Sequence, residues 1–144
     1  MSDQFNLQRF VDAQAAVIEQ VCAELRAGQK RSHWMWFVFP QIRGLGSSEM
    51  AVRYAISGQE EARAYLDHPV LGPRLRECAG VVVEVEGKTA GEIFGYPDDL
   101  KFHSSMTLFA EVAGPTERVF HKALMKYFGG KADHATLDRL ASGD

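Results

Sequence analysis

The chain has a pronounced helix-forming segment at residues 97–113, PDDLKFHSSMTLFAEVA. Pro97 has the backbone angle of a first helical turn, and Asp98 and Asp99 follow it where the positive end of the helix dipole stabilises carboxylates. Four apolar side chains then share one face at helical spacing: Phe102, Met106, Phe109 and Ala113. A helix with such a face must bury it against other elements, so this segment predicts a helical core.

Two further helices are predicted on the C-terminal side of this segment. The first begins at Pro115 or Thr116 and ends at Gly129. Its inner side carries five apolar or aromatic residues: Phe120, Ala123, Leu124, Tyr127 and Phe128. The second spans residues 133–140 and is expected to pack over the core.

Capping signals before residue 97 predict two more helices. Thr89 and Glu92 have the spacing of a capping box, in which a hydroxyl and a carboxylate each satisfy one free amide, and the short helix ends at Gly95. Pro69 suits the first turn of another helix. One side of that helix carries Leu71, Leu75, Cys78 and Val82. The valines at 81–83 could instead form a strand, but no partner strand is evident.

The N-terminal half predicts helices on either side of one break. Apolar residues in 6–27 recur at helical intervals, which indicates one helix or two abutting ones. Four polar residues fall off that apolar face: Asp12, Gln14, Glu19 and Glu24. Pro40 prevents a helix from continuing beyond the segment 32–39, which is a short buried turn of helix or an extended segment. Ser47 and Ser57 are expected to cap helices over about 48–56 and 60–66.

These elements predict an all-α fold, a compact single domain over residues 1–144 built as a bundle of about seven short-to-medium helices. The length of 144 residues is usual for one domain. A composition of 46% hydrophobic and 24% charged residues is that of globular proteins, so a folded core is expected.

Charge and composition also disfavour several partners and sites. The formal net charge of −3 would repel a polyanion, so nucleic acid is not an expected partner. The start lacks the features of a secretion signal, and the longest bulky apolar run, 34–39, is too short to cross a bilayer. A cytoplasmic protein without membrane contact is expected. Cys22 and Cys78 are predicted to be reduced thiols without metal-ligand spacing, and we expect neither a metal nor a cofactor.

Several motifs together resemble a known family. They are His33-Trp34-Met35-Trp36-Phe37, Phe39-Pro40-Gln41, Gly44-Leu45-Gly46, Tyr65-Leu66-Asp67-His68-Pro69-Val70-Leu71-Gly72, Ile93 to Lys101, and Ser104-Ser105-Met106-Thr107-Leu108-Phe109. The chain resembles, over about residues 7–140, domain of unknown function 1810, uncharacterised bacterial and fungal proteins sometimes labelled calpastatin. The resemblance implies an all-α fold of its own type and no established activity. The calpastatin label does not fit, because such calpain inhibitors are disordered repeat proteins.

Two segments carry polar side chains next to predicted helix starts. The loop containing Gly44 and Gly46 leads into a helix whose free amides can hold an anion, or it is a turn shaped by two glycines and capped by a serine. The helix after residue 97 places Asp98, Lys101 and Ser105 beside its apolar face. They form the edge of a pocket. Alternatively, Asp98 caps or charges the helix start and pairs with Lys101, while Ser104 and Ser105 lie at the surface or bond back to the helix.

A third segment mixes cations with aromatic rings, which could grip a phosphorylated or aromatic ligand. It contains Lys30, Arg31, His33, Trp34, Trp36, Gln41 and Arg43. Core packing is expected for Trp36, whereas His33 and Trp34 could present a polar edge at a cleft. The other histidines are expected to be structural or to lie at the surface: His68, His103, His121 and His134.

The leading functional hypothesis is a small-molecule-binding domain for an anionic, nucleotide-like ligand held between residues 33–48 and the helix at 98–105. The predicted binding residues are Arg31, His33, Trp34, Gln41, Arg43, Gly44, Gly46, Ser47, Asp98, Lys101, Ser104 and Ser105. Packing of both apolar segments into one core should bring their polar borders to a single cleft at its rim. Four of these residues are expected to converge there: Lys101, Ser105, His33 and Gln41.

Two other functions remain open. The segment Ser48-Glu49 and the helix at 119–128 are vaguely similar to the NAD- and ADP-ribose-associated glycosidase family, which implies a hydrolase or N-glycosidase of ADP-ribose derivatives. Its acid or nucleophile would be Asp98, Asp99 or Glu49, although no catalytic residue can be assigned. The third function is a protein-interaction module with an exposed aromatic patch, as a monomer or homodimer.

Overall fold

The computed structural model describes residues 3–142, which form ten helices and no strand. In chain order they are α1 Gln8–Ala15, α2 Ile18–Arg26, α3 Met35–Val38, α4 Glu49–Arg53, α5 Gln59–Asp67, α6 Leu71–Glu84, α7 Ala90–Phe94, α8 Asp98–Ala113, α9 Arg118–Phe128 and α10 His134–Ala141. The all-α prediction is confirmed, and α6 runs through the three valines that could have formed a strand. None of the described helices is long and apolar enough to span a membrane.

The number of helices exceeds the predicted seven because short helices form on both sides of local breaks. The stretch 6–27 divides at Val17, whose φ of −125° and ψ of −6° leave the helical region. Residues Met35–Val38 form one helical turn before Pro40. Ile42 and Ile56 then pair in an isolated parallel bridge, which leaves α4 as a short helix between them.

The capping residues agree with the sequence in part. The box of Thr89 and Glu92 is present at α7. The cap of α4 is Ser48 rather than Ser47, since the Ser48 hydroxyl accepts from Ala51 N at 3.1 Å. Ser57 does not cap α5, because Gly58 holds that position and the Ser57 amide instead donates to the Glu61 carboxylate at 2.8 Å.

The start of α6 also differs from the prediction. The helix begins at Leu71, so Pro69 lies before it. His68 is extended, as expected of a residue before proline, with φ −67° and ψ 133°. Its Nδ1 accepts from the backbone amides of Val70 at 3.1 Å and Leu71 at 3.2 Å, so an imidazole caps this helix start.

The long helix α8 lies at the centre of the fold and packs against α5, α7, α9 and α10. Phe102 on α8 stacks on Phe94 of α7 with ring centroids 4.6 Å apart, and it meets the edge of Phe39 at 5.0 Å. These three buried rings join α7 and α8 to the segment after α3. They thereby bring the polar residues that flank α3 close to the first turn of α8.

Two features connect other parts of the fold. Tyr127 of α9 donates its hydroxyl to the carbonyl of Val82, which links α9 to the end of α6. Cys22 is half-buried and Cys78 is buried, and both thiols are free, as predicted. Burial raises the pKa of the Cys78 thiol, and the neighbouring Cys22 adds to that rise.

Candidate functional site

The loop before α3 is organised by Glu24, a residue of α2 that is only 4% exposed. Its carboxylate accepts hydrogen bonds from the Arg31 amide at 2.8 Å, the Ser32 hydroxyl at 2.6 Å and Trp34 Nε1 at 2.9 Å. Burial would raise the pKa of Glu24, but the hydrogen bonds, led by that of Ser32, outweigh it and lower the pKa to about 2. The carboxylate therefore fixes the loop that carries Lys30.

Two lysines converge on one carboxylate at the start of α8. Lys30 Nζ lies 2.8 Å from Asp98 Oδ2, and Lys101 Nζ lies 3.5 Å from Asp98 Oδ1. The Lys30 side chain is only 7% exposed, and its amide donates to Ile93 O at 2.7 Å. We call Lys30, Asp98 and Lys101 the dilysine cluster. Because it holds two cations and one anion, the cluster has an excess of positive charge.

Each lysine of the cluster also lies over an indole ring. Lys30 Nζ is 5.1 Å from the ring centroid of Trp34, and Lys101 Nζ is 5.3 Å from that of Trp36. Both distances are within the range of a cation–π interaction. The two indole N–H groups differ, however. Trp34 Nε1 is bonded to Glu24, whereas the buried Trp36 Nε1 has no acceptor among the described residues.

Trp36 and Lys101 line a small cavity of about 10 Å³, which we call the Trp36 cavity. Its lining consists of Met35, Trp36, Phe39, Gln41, Ile42, Gly44, Gly46, Ala51, Tyr54, Ala55 and Lys101. A space of this volume admits a single water-sized group. The residues that line the cavity therefore include a lysine, a glutamine and a tryptophan whose buried N–H has no acceptor among the described residues.

The structure brings some of the predicted binding residues together. Gln41, Gly44, Gly46 and Lys101 all line the Trp36 cavity, and Asp98 is bound to Lys101 beside it. The sequence thus indicated the two chain segments that meet here, one before α4 and one in the first turn of α8.

Other predicted binding residues lie elsewhere. Arg31, His33 and Ser47 are exposed outside the cavity lining, and Trp34 is buried against Glu24. Ser104 donates to Asp133 Oδ2 at 2.7 Å and thus faces α10. Two further residues complete the set: Ser105, which is fully buried and whose hydroxyl has no partner within residues 3–142, and Arg43, which lines a small cleft with Arg139.

The loop before α4 that contains Gly44 is held in place by α10. Gly44 has a φ of +94°, in the left-handed region that favours glycine. A Cβ here would overlap the Arg139 guanidinium of α10, whose Nη2 lies 3.4 Å from Gly44 O. The glycine therefore provides both the backbone angle and the space for Arg139. The helix that follows has five residues and begins with its Ser48 cap.

Sequence reasoning assigned Trp36 to core packing and so missed its role in the cavity. Its side chain is half-buried, and its buried N–H has no acceptor among the described residues. The available signal was the composition of the segment, because two tryptophans beside Lys30 can provide rings for cations. Only folding shows that Lys101 lies over one of these rings and Lys30 over the other.

The relatives of the chain agree with this architecture. The model of the family described as "Protein of unknown function (DUF1810)" matches residues 4–140. The chain belongs to this DUF1810 family. It is also similar to a solved structure, described as the conserved hypothetical protein Rv1873 from Mycobacterium tuberculosis, with 60% sequence identity and a TM-score of 0.94. That match covers 96% of this chain and 99% of the other. No curated protein matches the sequence.

Three carboxylates of this DUF1810 protein are the predicted candidates for an acid or nucleophile. Asp98 is engaged by both lysines of the dilysine cluster, Asp99 Oδ1 accepts from the Leu100 amide at 3.0 Å, and Glu49 is exposed in the first turn of α4. None of the three lines the Trp36 cavity. Within residues 3–142, no group of three or more His, Cys, Asp or Glu side chains is placed to hold a metal ion.

Proposed function

We propose that this protein binds a small anionic ligand at the Trp36 cavity, where one phosphate or carboxylate oxygen is received by Trp36 Nε1 and Lys101 Nζ. The proposal depends on one observation. Trp36, whose buried indole N–H has no acceptor among the described residues, lines a cavity that Lys101 also lines. An anionic oxygen would satisfy the N–H, and hydrogen bonds to charged groups are about twice as strong as neutral ones.

Charge supports an anion rather than a neutral ligand. The Asp98 carboxylate is shared between Lys30 at 2.8 Å and Lys101 at 3.5 Å, and the shorter contact is to Lys30. Lys101 is thus the less tightly paired cation, and its side chain is 25% exposed. An anion approaching from solvent can add to this pair without displacing Lys30.

The size of the cavity indicates how such a ligand would sit. Because about 10 Å³ admits one oxygen-sized group, the remainder of the ligand would lie outside, over Gly44 and Gly46 at the rim. A nucleotide-like ligand can meet this requirement by inserting one terminal phosphate oxygen. The cavity side chains in the described structure include no carboxylate, thiol or imidazole. We therefore propose binding rather than hydrolysis.

The test is a thermal-shift titration with inorganic phosphate, acetate and ADP-ribose. A ligand at 100 times its dissociation constant adds about 2.7 kcal/mol to the free energy of unfolding, which is a measurable rise in Tm. Lys101→Ala should abolish that rise while changing the unliganded Tm little, because a partly exposed ion pair contributes roughly 1 kcal/mol or less. Lys131→Ala, which removes an exposed lysine outside the cavity, should respond to ligand as the parent does.

Trp36→Phe provides the second arm, because it removes the N–H and keeps an aromatic ring. We expect it to lose most of the ligand-induced rise. The proposal would be wrong if none of the three anions raised the Tm of the parent protein. It would also be wrong if Lys101→Ala and Trp36→Phe both bound the anion as tightly as the parent.

A further inference from the structure

One side of α9 is left open to solvent. Four of its residues follow the spacing i, i+3, i+4 and i+7 and therefore lie on one face: Arg118, His121, Lys122 and Met125. Together with Val83 of α6 and Lys126 they line a groove of about 330 Å³, which we call the α9 groove. It lies on different helices from the Trp36 cavity and shares no residue with it.

The α9 groove concentrates positive charge on a chain whose formal net charge is −3. Arg118 and Lys122 are exposed, and neither forms an ion pair within residues 3–142. Lys126 Nζ donates to the backbone carbonyls of Val83 at 2.6 Å and Val85 at 2.5 Å, so its charge is not neutralised by a carboxylate. Three cations in one groove attract an acidic partner.

The same groove presents an apolar side chain between these cations. Met125 is 67% exposed, and a flexible thioether adapts to differently shaped apolar partners. An apolar side chain of a partner would cover Met125 and remove it from water.

We propose that the α9 groove binds an acidic peptide segment of a partner protein. Its carboxylates would contact Arg118, Lys122 and Lys126, and an apolar side chain between them would pack on Met125 and Val83. Nucleic acid fits this surface less well, because non-specific binding of a nucleic acid strand uses a continuous basic track together with aromatic rings for its bases. The residues that line the α9 groove include no phenylalanine, tyrosine or tryptophan.

The probe is a fluorescein-labelled peptide, Glu-Glu-Leu-Leu-Glu-Glu, followed by fluorescence polarisation at low ionic strength with the full chain. The Gln-Gln-Leu-Leu-Gln-Gln analogue should not bind. Reversal of both exposed cations in the R118E/K122E variant should weaken binding by about tenfold or more, since opposed charges at an interface are repulsive. Lys131→Glu reverses one exposed cation outside the groove and should leave the affinity unchanged.

Met125→Gln tests whether the groove recognises a peptide with an apolar side chain or binds any polyanion. It keeps the length of the side chain and removes its apolar character, so it should weaken the peptide measurably. All substituted positions are exposed, and an unchanged melting curve for each variant shows that folding is intact. The proposal is overturned if the peptide does not bind at millimolar concentration, or if R118E/K122E binds it normally. A single-stranded oligonucleotide that displaces the peptide and binds equally well to Met125→Gln would also overturn it.

Discussion

Glu24 shows how one buried carboxylate can organise a loop. It lies between Val21 and Leu25 on α2, both fully buried, and it faces the core with them. Five donors satisfy its oxygens, from Gln20, Arg31, Ser32 and Trp34. A buried carboxylate stays ionised at little cost in free energy only because each of its oxygen lone pairs accepts a hydrogen bond. The Glu24 carboxylate thus holds this loop in place, a role that a side-chain helix cap or a tight turn would otherwise fill.

The depressed pKa of Glu24 predicts acid sensitivity. Its pKa falls from an ordinary 4.5 to about 2 in the folded protein, so the unfolded chain binds the proton more readily. The resulting stabilisation, roughly 3 kcal/mol, is complete above pH about 4.5 and is lost as pH falls through about 2. Chemical denaturation between pH 7 and pH 2.5 should show this loss in the parent protein.

Glu24→Gln should flatten that part of the pH profile and lower stability at pH 7 by roughly 1–3 kcal/mol, because donors of Ser32 and Arg31 lose a charged acceptor. Glu19→Gln is the control, since Glu19 is exposed on the same helix and should leave the profile unchanged. An unaltered acid limb in Glu24→Gln would show that the carboxylate is not the group responsible.

The sequence did not reveal this residue. Gln14 and Glu24 fell off the predicted apolar face and were expected away from the core, but they are 2% and 4% exposed. Gln14 Nε2 donates to Phe37 O at 2.7 Å and to the Tyr65 hydroxyl at 3.1 Å. The partners that make burial tolerable lie mainly in the loop after α2 for Glu24 and in distant segments for Gln14, and hydrophobic periodicity contains no information about either set.

The helix α9 illustrates how burial differs between the two sides of one element. Phe120 is fully buried and Leu124 is 6% exposed, whereas Met125 is 67% exposed. We expect Phe120→Ala and Leu124→Ala each to lower the free energy of unfolding by roughly 2–5 kcal/mol, because each leaves a cavity in the core. Met125→Ala should be nearly neutral. Urea titrations of the three variants provide the comparison, and small losses for both buried positions would mean that α9 is peripheral.

The junction between α5 and α6 depends on a glycine. A Cβ at Gly72 would overlap the Leu66 carbonyl oxygen and press on Arg76. Gly72→Ala should therefore destabilise the fold by roughly 1–3 kcal/mol through overpacking. In Gly91→Ala, the new Cβ would have no neighbour closer than 3.8 Å, and that change should be neutral or slightly stabilising. Equal Tm values for the two variants would contradict the prediction.

The presence of a helix was easier to predict from the sequence than the residues at which it begins and ends. The pattern of Phe102, Met106 and Phe109 correctly predicted α8. Three apolar residues at helical spacing indicate a helix even where neighbouring residues do not fit the pattern. The cap of α5 was predicted wrongly, since Ser57 has the right chemistry and lies one residue too early. A cap depends on backbone angles at a single residue, and the choice between adjacent serine and glycine residues is decided by tertiary contacts such as that of Glu61.

At the scale of the whole molecule, the sequence correctly indicated that two distant segments would meet. It did not predict which side chains of each segment would line the cavity between them. Lys101 and Gln41 line one cavity, as expected from polar residues that border apolar ones. His33 and Ser105 were expected beside them, yet one is exposed outside the lining and the other is enclosed in the core. Ser105 lies on the side of α8 that the core encloses, whereas His33 lies in the loop before α3, outside the cavity lining.

The bonds from α9 to the end of α6 have a consequence for how the molecule opens. Lys126 and Tyr127 donate to the carbonyls of Val82, Val83 and Val85, so the last turn of α6 cannot fray while α9 stays in place. Burial, with Glu86 nearby, raises the pKa of Tyr127 and keeps its phenol a donor into alkaline solution. In native-state hydrogen exchange, amides of that turn and of α9 should therefore share one opening free energy and exchange as a single cooperative unit.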